Sequence, residues 1–157
     1  MTMKRMLMIL VLLAAVGAFG GDDGDVTVKL NDVSPRGIHS NMWFECSVTI
    51  HNGTSAPLTV TNLFLGPPSL ALKISDLDGK ELKRVYSVPY MFEPVGWDIA
   101  PGDNTFTNVL YGLPNGNRPP LSLPEGVHAV RVQVQGILPG SSFTNRLTSN
   151  IVEVQVP

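Results

Sequence analysis

Hydrophobic and polar residues alternate along most of the chain, most strictly over residues 42–51. An extended strand with this pattern buries one face and exposes the other to solvent. The apolar positions of this predicted central strand are Met42, Phe44, Cys46, Val48 and Ile50. The Asn52-Gly53 pair that follows predicts a turn, because both residue types tolerate positive φ.

Shorter segments with the same alternation predict further strands, and no segment after residue 20 has a helical period. The predicted strands are residues 26–30, 58–64, 70–74, 81–86, 105–111, 128–135 and 152–156, and residues 121–125 are predicted to lead into the strand at 128–135. Residues 87–103 contain three prolines, so we predict an irregular connection with a short edge strand near Trp97. The pattern predicts an all-β, antiparallel sandwich or barrel of seven to nine strands.

The start of the chain has the parts of a secretory signal peptide. Two basic residues precede an apolar run over residues 6–16, and small residues follow the run. We expect cleavage after Gly20, with cleavage after Ala18 as the alternative. The predicted organisation is a cleavable signal-peptide helix at residues 1–20 and one mature domain at residues 21–157. This domain is expected to be secreted or periplasmic, without stable membrane insertion.

Composition and charge narrow the function. The chain has 157 residues, 43% of them hydrophobic, which suits one globular domain with a sizeable core. Without the two leader bases, 9 basic residues remain against 13 acidic ones, and the bases are scattered along the sequence. Nucleic acid binding requires a clustered basic footprint, so we predict no nucleic acid partner.

Several segments together resemble the immunoglobulin-like β-sandwich modules of secreted bacterial proteins. The segments are residues 47–52, 57–60, 72–80, 99–103, 123–132 and 149–156. The resemblance implies an immunoglobulin-like sandwich, and it does not choose a function, since such modules serve as enzyme accessory domains, adhesins and inhibitors. His128 stands where many of these domains have a corner tyrosine, and Cys46 has no second cysteine to pair with. We predict a monomer.

The motifs of common enzyme classes are absent from the sequence. It contains no Gly-x-Ser-x-Gly elbow, no His-Glu-x-x-His zinc motif and no phosphate-binding glycine loop. Cys46 is predicted to be a buried structural residue, because apolar neighbours raise the pKa of a thiol and block access to it. We therefore predict no enzymatic activity, no cofactor and no resident metal.

A periplasmic metal-binding protein is the alternative from a different class. His39, His51 and Met42 supply the ligand types that a copper or zinc site would need. Because the two histidines flank the same predicted strand, such a site requires loops that fold back and bring them together.

The most informative segment outside the predicted core is residues 86–97, which is stiffened by proline. Its large side chains are Tyr86, Tyr90, Met91, Phe92 and Trp97. Aromatic residues on a preordered loop bind a partner with little loss of entropy. A second interpretation stays open, in which these rings fold back and cap one end of the sandwich.

From these patterns we predict an exported, non-catalytic binding module. It would recognise an extracellular or envelope protein or glycan through residues 86–97, with the neighbouring loop at residues 112–120 as a possible extension. A secreted peptidase inhibitor that inserts the same segment into a protease cleft is the alternative among protein-binding functions.

Overall fold

Antiparallel β-strands make up the regular structure of the chain. A computed structural model describes residues 25–38, 40–64, 66, 69–87, 96–114 and 120–157. Ten strands lie in these ranges, and none of the described residues is helical. In chain order the strands are β1 (Val26–Ile38), β2 (Asn41–Asn52), β3 (Leu58–Thr61), β4 (Ala71–Ser75), β5 (Glu81–Val85), β6 (Gly96–Ile99), β7 (Gly102–Tyr111), β8 (Ala129–Gly136), β9 (Leu147–Thr148) and β10 (Val152–Gln155).

The all-β prediction is confirmed, although the described residues hold ten strands and not seven to nine. The predicted signal-peptide helix at residues 1–20 lies outside the described residues. Across the part of the chain that is described, no helix is long and apolar enough to span a membrane.

The strands form three sheets within the described ranges. β2 lies between β1 and β7 in a three-stranded sheet. A second sheet has the order β10-β8-β4-β5, with β9 paired to β8, and β3 and β6 form a separate two-stranded sheet. Each ladder is antiparallel, as the alternating sequence predicts.

The core lies between the two larger sheets. All five apolar positions predicted on β2 are at most 2% exposed, which confirms the central strand. The second sheet meets them with fully buried residues of β4 and β8: Leu72, Ile74, Val130, Val132 and Val134. These side chains belong to one continuous hydrophobic cluster. Burial of this apolar area is the main favourable contribution to folding.

β1 is longer than predicted, since it continues past Leu30 to Ile38. Its pairing with β2 shifts register between Leu30 and Asp32, which leaves Asn31 as the extra residue of a β-bulge. Burial loses its alternation beyond this point, so no hydrophobic period marks the second half of the strand. Pro35 is tolerated there because β1 lies at the edge of its sheet.

β3 is shorter than predicted and ends at Thr61, before residue 64. The next residue, Asn62, has a φ of 52°, in the left-handed region, and this takes the chain out of the extended conformation. Phe64 therefore lies in a turn and not on a strand.

Residues 121–125, which are predicted to lead into the strand at 128–135, belong to no strand. Leu121 makes one isolated bridge to β2, and the prolines at positions 120 and 124 have no N–H to donate to a ladder. The segment nevertheless contributes to the core, because Leu121 and Leu123 are buried.

The corner before β8 is closed by backbone and not by a side chain. The ring of His128 is exposed, while its carbonyl oxygen accepts a hydrogen bond from the Val156 N–H at 2.9 Å.

Asn52 connects the end of β2 to two neighbouring segments. Its side chain is 1% exposed, and Nδ2 donates to the carbonyl oxygens of Ala56 and Ile99, both at 2.9 Å. Its Oδ1 accepts from the Thr54 N–H at 3.0 Å. This Asn-Gly-Thr sequence matches a glycosylation sequon, but the amide is buried and fully used in the fold.

A second asparagine joins the two large sheets. Leu30 N–H donates to Asn150 Oδ1 at 2.9 Å, and Asn150 Nδ2 donates to the Leu30 carbonyl oxygen at 3.0 Å. The amide side chain thus makes the two hydrogen bonds that the backbone of a neighbouring strand would make at the bulge of β1. Because Asn150 lies between β9 and β10, it ties the edge of one sheet to the other.

We expect Asn52→Ala to lower the free energy of unfolding by about 3 kcal/mol, because it removes the hydrogen bonds of the buried amide to the Ala56 and Ile99 carbonyls and from the Thr54 N–H. Chemical denaturation measures the change. The matched control is Asn31→Ala, which removes one exposed hydrogen bond to Thr49 and should cost less than about 1 kcal/mol. Equal losses in the two variants would contradict the role of Asn52.

Candidate functional site

Trp97 lies on β6, opposite Val60 of β3, and is 46% exposed. Its ring meets Phe106 in a T-shaped contact, with centroids 5.7 Å apart and planes at 81°. Edge-to-face packing of this kind favours one ring orientation. Trp97 therefore presents a large apolar side chain to solvent from a supported position.

The contact with Trp97 begins a row of four rings, Trp97, Phe106, Phe64 and Tyr111, called here the aromatic row. Phe64 stands edge-on to Phe106 at 5.5 Å and to Tyr111 at 6.2 Å between centroids. Phe64 and Phe106 are partly buried against the core, and Tyr111 is fully buried. The row leads from solvent at Trp97 into the interior, so the exposed ring has the core behind it.

Tyr86 lies directly after β5 and is partly buried. Its carbonyl oxygen accepts a hydrogen bond from the Gly112 N–H at 3.3 Å. The next residue, Ser87, forms an isolated bridge to Tyr111 and donates its N–H to the Phe64 carbonyl at 3.0 Å. These bonds hold Tyr86 near the buried end of the aromatic row.

The described residues include two of the five side chains predicted to bind a partner. Trp97 lies at the exposed end of the aromatic row and Tyr86 near its buried end. Tyr90, Met91 and Phe92 lie outside the described residues. Exposure of Trp97 fits a contact surface, whereas the partial burial of Tyr86 fits the second interpretation, in which a ring packs at the end of the core.

Two cavities share Arg84 and Tyr86 as lining residues. The larger has a volume of about 370 Å³ and is lined as well by Val85, Leu113 and Leu121. The smaller has a volume of about 210 Å³, and its other lining residues include Ser69, Gln135 and Arg146. Both linings are mainly apolar, and the lining of the smaller cavity includes two arginines, Arg84 and Arg146.

Basic residues that are far apart in sequence meet at the smaller cavity, and sequence reasoning missed this. Lys73 of β4 and Arg84 of β5 are direct partners across their ladder. Arg146, which directly precedes β9, lines the same cavity as Arg84. The sequence positions of these residues alone indicate that the basic side chains are scattered over the protein. Only the pairing of β4 with β5, and of β8 with β9, brings them together.

Glu81 is the carboxylate that contacts this group. Both its oxygens accept hydrogen bonds from Arg84, from Nε at 3.2 Å and from Nη2 at 3.0 Å. The hydrogen bond from Arg84 lowers the pKa of Glu81, and the charges of Arg84, Lys73 and Arg146 add to that effect. The shift therefore arises first from the hydrogen bond of Arg84, and the nearby positive charges act in the same direction.

Cys46 has the buried position that its strand pattern predicts. Burial raises the pKa of its thiol to about 12, and the charges of Asp32 and Glu45 act in the same direction. Burial, followed by the nearby Cys46, likewise raises the pKa of Tyr111 well above its usual value. The Tyr111 hydroxyl has no hydrogen-bond partner among the described residues. Neither group is activated as a nucleophile or a base at neutral pH.

The proposed metal ligands do not converge where the structure describes them. Met42 is fully buried at the start of β2, while His51 lies on the opposite face near its end and contacts Asp103 at 2.7 Å. His39 lies outside the described residues. The ranges that are described hold no group of three or more His, Cys, Asp or Glu side chains placed to bind a metal ion.

Comparison with known proteins does not assign the chain to a family. No family model and no curated protein matches the chain. Among solved structures, the chain is similar to a Bordetella pertussis protein that carries the name ApaA, at 17% sequence identity and a TM-score of 0.40. The match covers 86% of this chain and 96% of the other. A likeness at this level supports no argument about function.

We expect the Cys46 thiol to resist alkylation in the folded protein. At pH 9 a thiol with a pKa of about 12 is about one part in a thousand thiolate, against about one half for the usual pKa of 9.0. Iodoacetamide labelling, followed by mass spectrometry, should therefore be at least about 500-fold slower in the native than in the denatured protein. Labelling at equal rates would contradict the burial of Cys46.

The same shift predicts a pH dependence of stability. Because the pKa of Cys46 is higher in the folded state than in the unfolded state, the neutral thiol stabilises the fold below about pH 9. This contribution should be lost progressively as the pH rises from about 9 to about 12. Denaturation curves of the wild type and Cys46→Ala should therefore converge over that range, and a constant difference between them would contradict the shift.

Proposed function

We propose that the protein is an exported, non-catalytic binding module that recognises a protein or glycan outside the cell or in the envelope. Its contact surface is the exposed end of the aromatic row, with Trp97 as the residue that inserts into the partner. The observation that carries this proposal is the exposure of Trp97, 46%, together with its edge-on support by Phe106.

Two properties of Trp97 favour binding: its large apolar area and the small loss of side-chain entropy when it binds. Tryptophan buries a large apolar surface on binding and is enriched among the residues that dominate interface energies. A ring already held by Phe106 loses less rotational freedom than one on an unsupported side chain. Phe64 packs edge-on against Phe106 in turn. The ring of Trp97 is therefore supported by the core and not by a loop.

The proposed architecture is an immunoglobulin-like β-sandwich. Two antiparallel sheets that share one hydrophobic core support it. Such an architecture exposes loops and short strands at its ends, where recognition residues are commonly found. β6, with four residues, is a short strand of this kind.

Export follows in this proposal from the leader at residues 1–20. Expression with the leader intact should yield a processed protein, and N-terminal sequencing should read Gly-Asp-Asp-Gly from residue 21. A chain that retains the leader in the cytoplasm would overturn the exported location.

The binding test uses Trp97 as its own reporter. In a Trp43→Phe background it is the sole tryptophan, because the chain has two. Protein and polysaccharide fractions from the host envelope and culture supernatant are titrated separately, and a saturable shift in fluorescence identifies the class of partner. Trp97→Ala should weaken retention on the active fraction by about tenfold or more, as expected for a residue that dominates an interface.

Ile151→Ala is the matched control, since Ile151 is a 59% exposed apolar residue outside the aromatic row. It should bind as the wild type does. Both variants are first compared by thermal unfolding. Retention that survives Trp97→Ala in a folded protein would overturn the aromatic row as the contact surface. A protease as the captured partner, inhibited by the protein, would identify an inhibitor.

A further inference from the structure

Three basic residues and one acidic residue form what is called here the cationic cluster: Lys73, Glu81, Arg84 and Arg146. Arg84 and Arg146 line the cavity of about 210 Å³, and Lys73 lies beside Arg84 across the β4–β5 ladder. The only carboxylate of the cluster is engaged by Arg84. Arg146 makes no ion pair with a carboxylate of the described residues.

The charge balance of the cluster is therefore incomplete. Three cations and one carboxylate leave two positive charges, while the whole chain carries a formal charge of −2. A concentration of positive charge in an acidic protein is a feature that an anionic ligand would stabilise.

The Arg84 guanidinium is already oriented. Glu81 accepts from its Nε and from one Nη2 hydrogen, so three of its five N–H donors have no partner among the described residues. Because Glu81 holds one edge of the planar group, the remaining donors keep a defined direction. Preorganised guanidinium donors are well suited to oxyanions, which they bind through parallel hydrogen bonds.

A chain of side-chain amides positions Arg146. Gln133 Nε2 donates to the Ser149 carbonyl oxygen at 2.7 Å, and this sets the direction of the whole chain because a carbonyl can only accept. Gln135 Nε2 then donates to Gln133 Oε1 at 2.7 Å. The Oε1 of Gln135 is thereby left to accept from Arg146 Nη2, at 3.3 Å. The guanidinium is held by a neutral acceptor and forms no ion pair with a carboxylate of the described residues.

At one side of the smaller cavity, the backbone segments at Gly136 and Ser69 pack closely against each other. A Cβ added to Gly136 would lie 2.2 Å from the Ser69 carbonyl oxygen, so a side chain at this position would displace the backbone of the cavity wall. The larger cavity of about 370 Å³ adjoins through Arg84 and Tyr86, and its apolar lining could receive an organic group attached to the anion.

We propose that the cavity between Arg84 and Arg146 binds a tetrahedral dianion of the phosphate class, either free or as a phosphate ester. Arg84 and Arg146 line the cavity with two oriented guanidinium groups, which suit the several oxygens of a tetrahedral dianion, and Lys73 adds a positive charge beside Arg84 on the neighbouring strand. The site does not rest on the proposed function of Trp97, so either proposal can fail without the other.

The test titrates the purified protein with inorganic phosphate at pH 8 and constant ionic strength, with NMR detection of the arginine Nε–H signals. Glycerol 3-phosphate is the ester and acetate the monovalent comparison. We expect saturable shifts of the Arg84 and Arg146 signals with phosphate, and binding of acetate at least about tenfold weaker. Tighter binding of the ester than of free phosphate would identify the ester as the preferred form, and the reverse would identify the free ion.

Arg146→Gln removes one charge without touching the Arg84–Glu81 pair, and it should weaken phosphate binding by about tenfold or more. Arg131→Gln is the matched control, because Arg131 lies on β8, in the same sheet, and pairs with Glu153 at 3.7 Å. It should bind phosphate within about twofold of the wild type, as expected for an exposed charge away from the cavity. Thermal unfolding confirms that both variants fold.

Three outcomes would overturn the proposal. The first is the absence of saturable shifts with either phosphate compound. The second is an equal loss of binding in Arg131→Gln and Arg146→Gln, which would indicate attraction by overall charge and not a site. The third is equal binding of acetate and phosphate, which would exclude selectivity for a tetrahedral dianion.

Discussion

The burial of one face of β2 is the constraint on which the rest of the structure depends. Five alternate residues of this strand are almost inaccessible to solvent, and they contact a cluster completed by β4 and β8 of the second sheet. Since a strand alternates strictly, the same burial directs the other face of β2 outward. The positions of β1 and β7 follow, because both pair with β2.

Hydrophobic burial does not by itself determine how the edges of the sheets are joined. Two asparagine side chains form hydrogen bonds that join them. Asn52 joins the end of β2 to the segment before β7, and Asn150 joins the bulge of β1 to the second sheet. Each amide makes directional bonds that replace missing strand partners. Apolar contacts tolerate small shifts, whereas these bonds select one arrangement of the edges.

Both proposed binding surfaces lie where strands end or pair at an edge. The aromatic row depends on β6 and β7, which bring Trp97 and Phe106 into contact, and the cationic cluster depends on β4, β5 and the start of β9. The two surfaces differ in chemistry, one apolar and one charged. Tyr86 lines both cavities, and its neighbour Ser87 bridges to Tyr111 at the buried end of the aromatic row.

Local alternation determined the fold class, the central strand and the burial of Cys46, because the side-chain period of a strand is visible within a few residues. It did not reveal the second half of β1, since the bulge at Asn31 interrupts the period, nor the early end of β3 at Asn62. Exposure of Trp97 and the meeting of Arg84 with Arg146 were decided only by the tertiary structure. Strand pairing joins residues distant in sequence, and no local pattern records which strands will become neighbours.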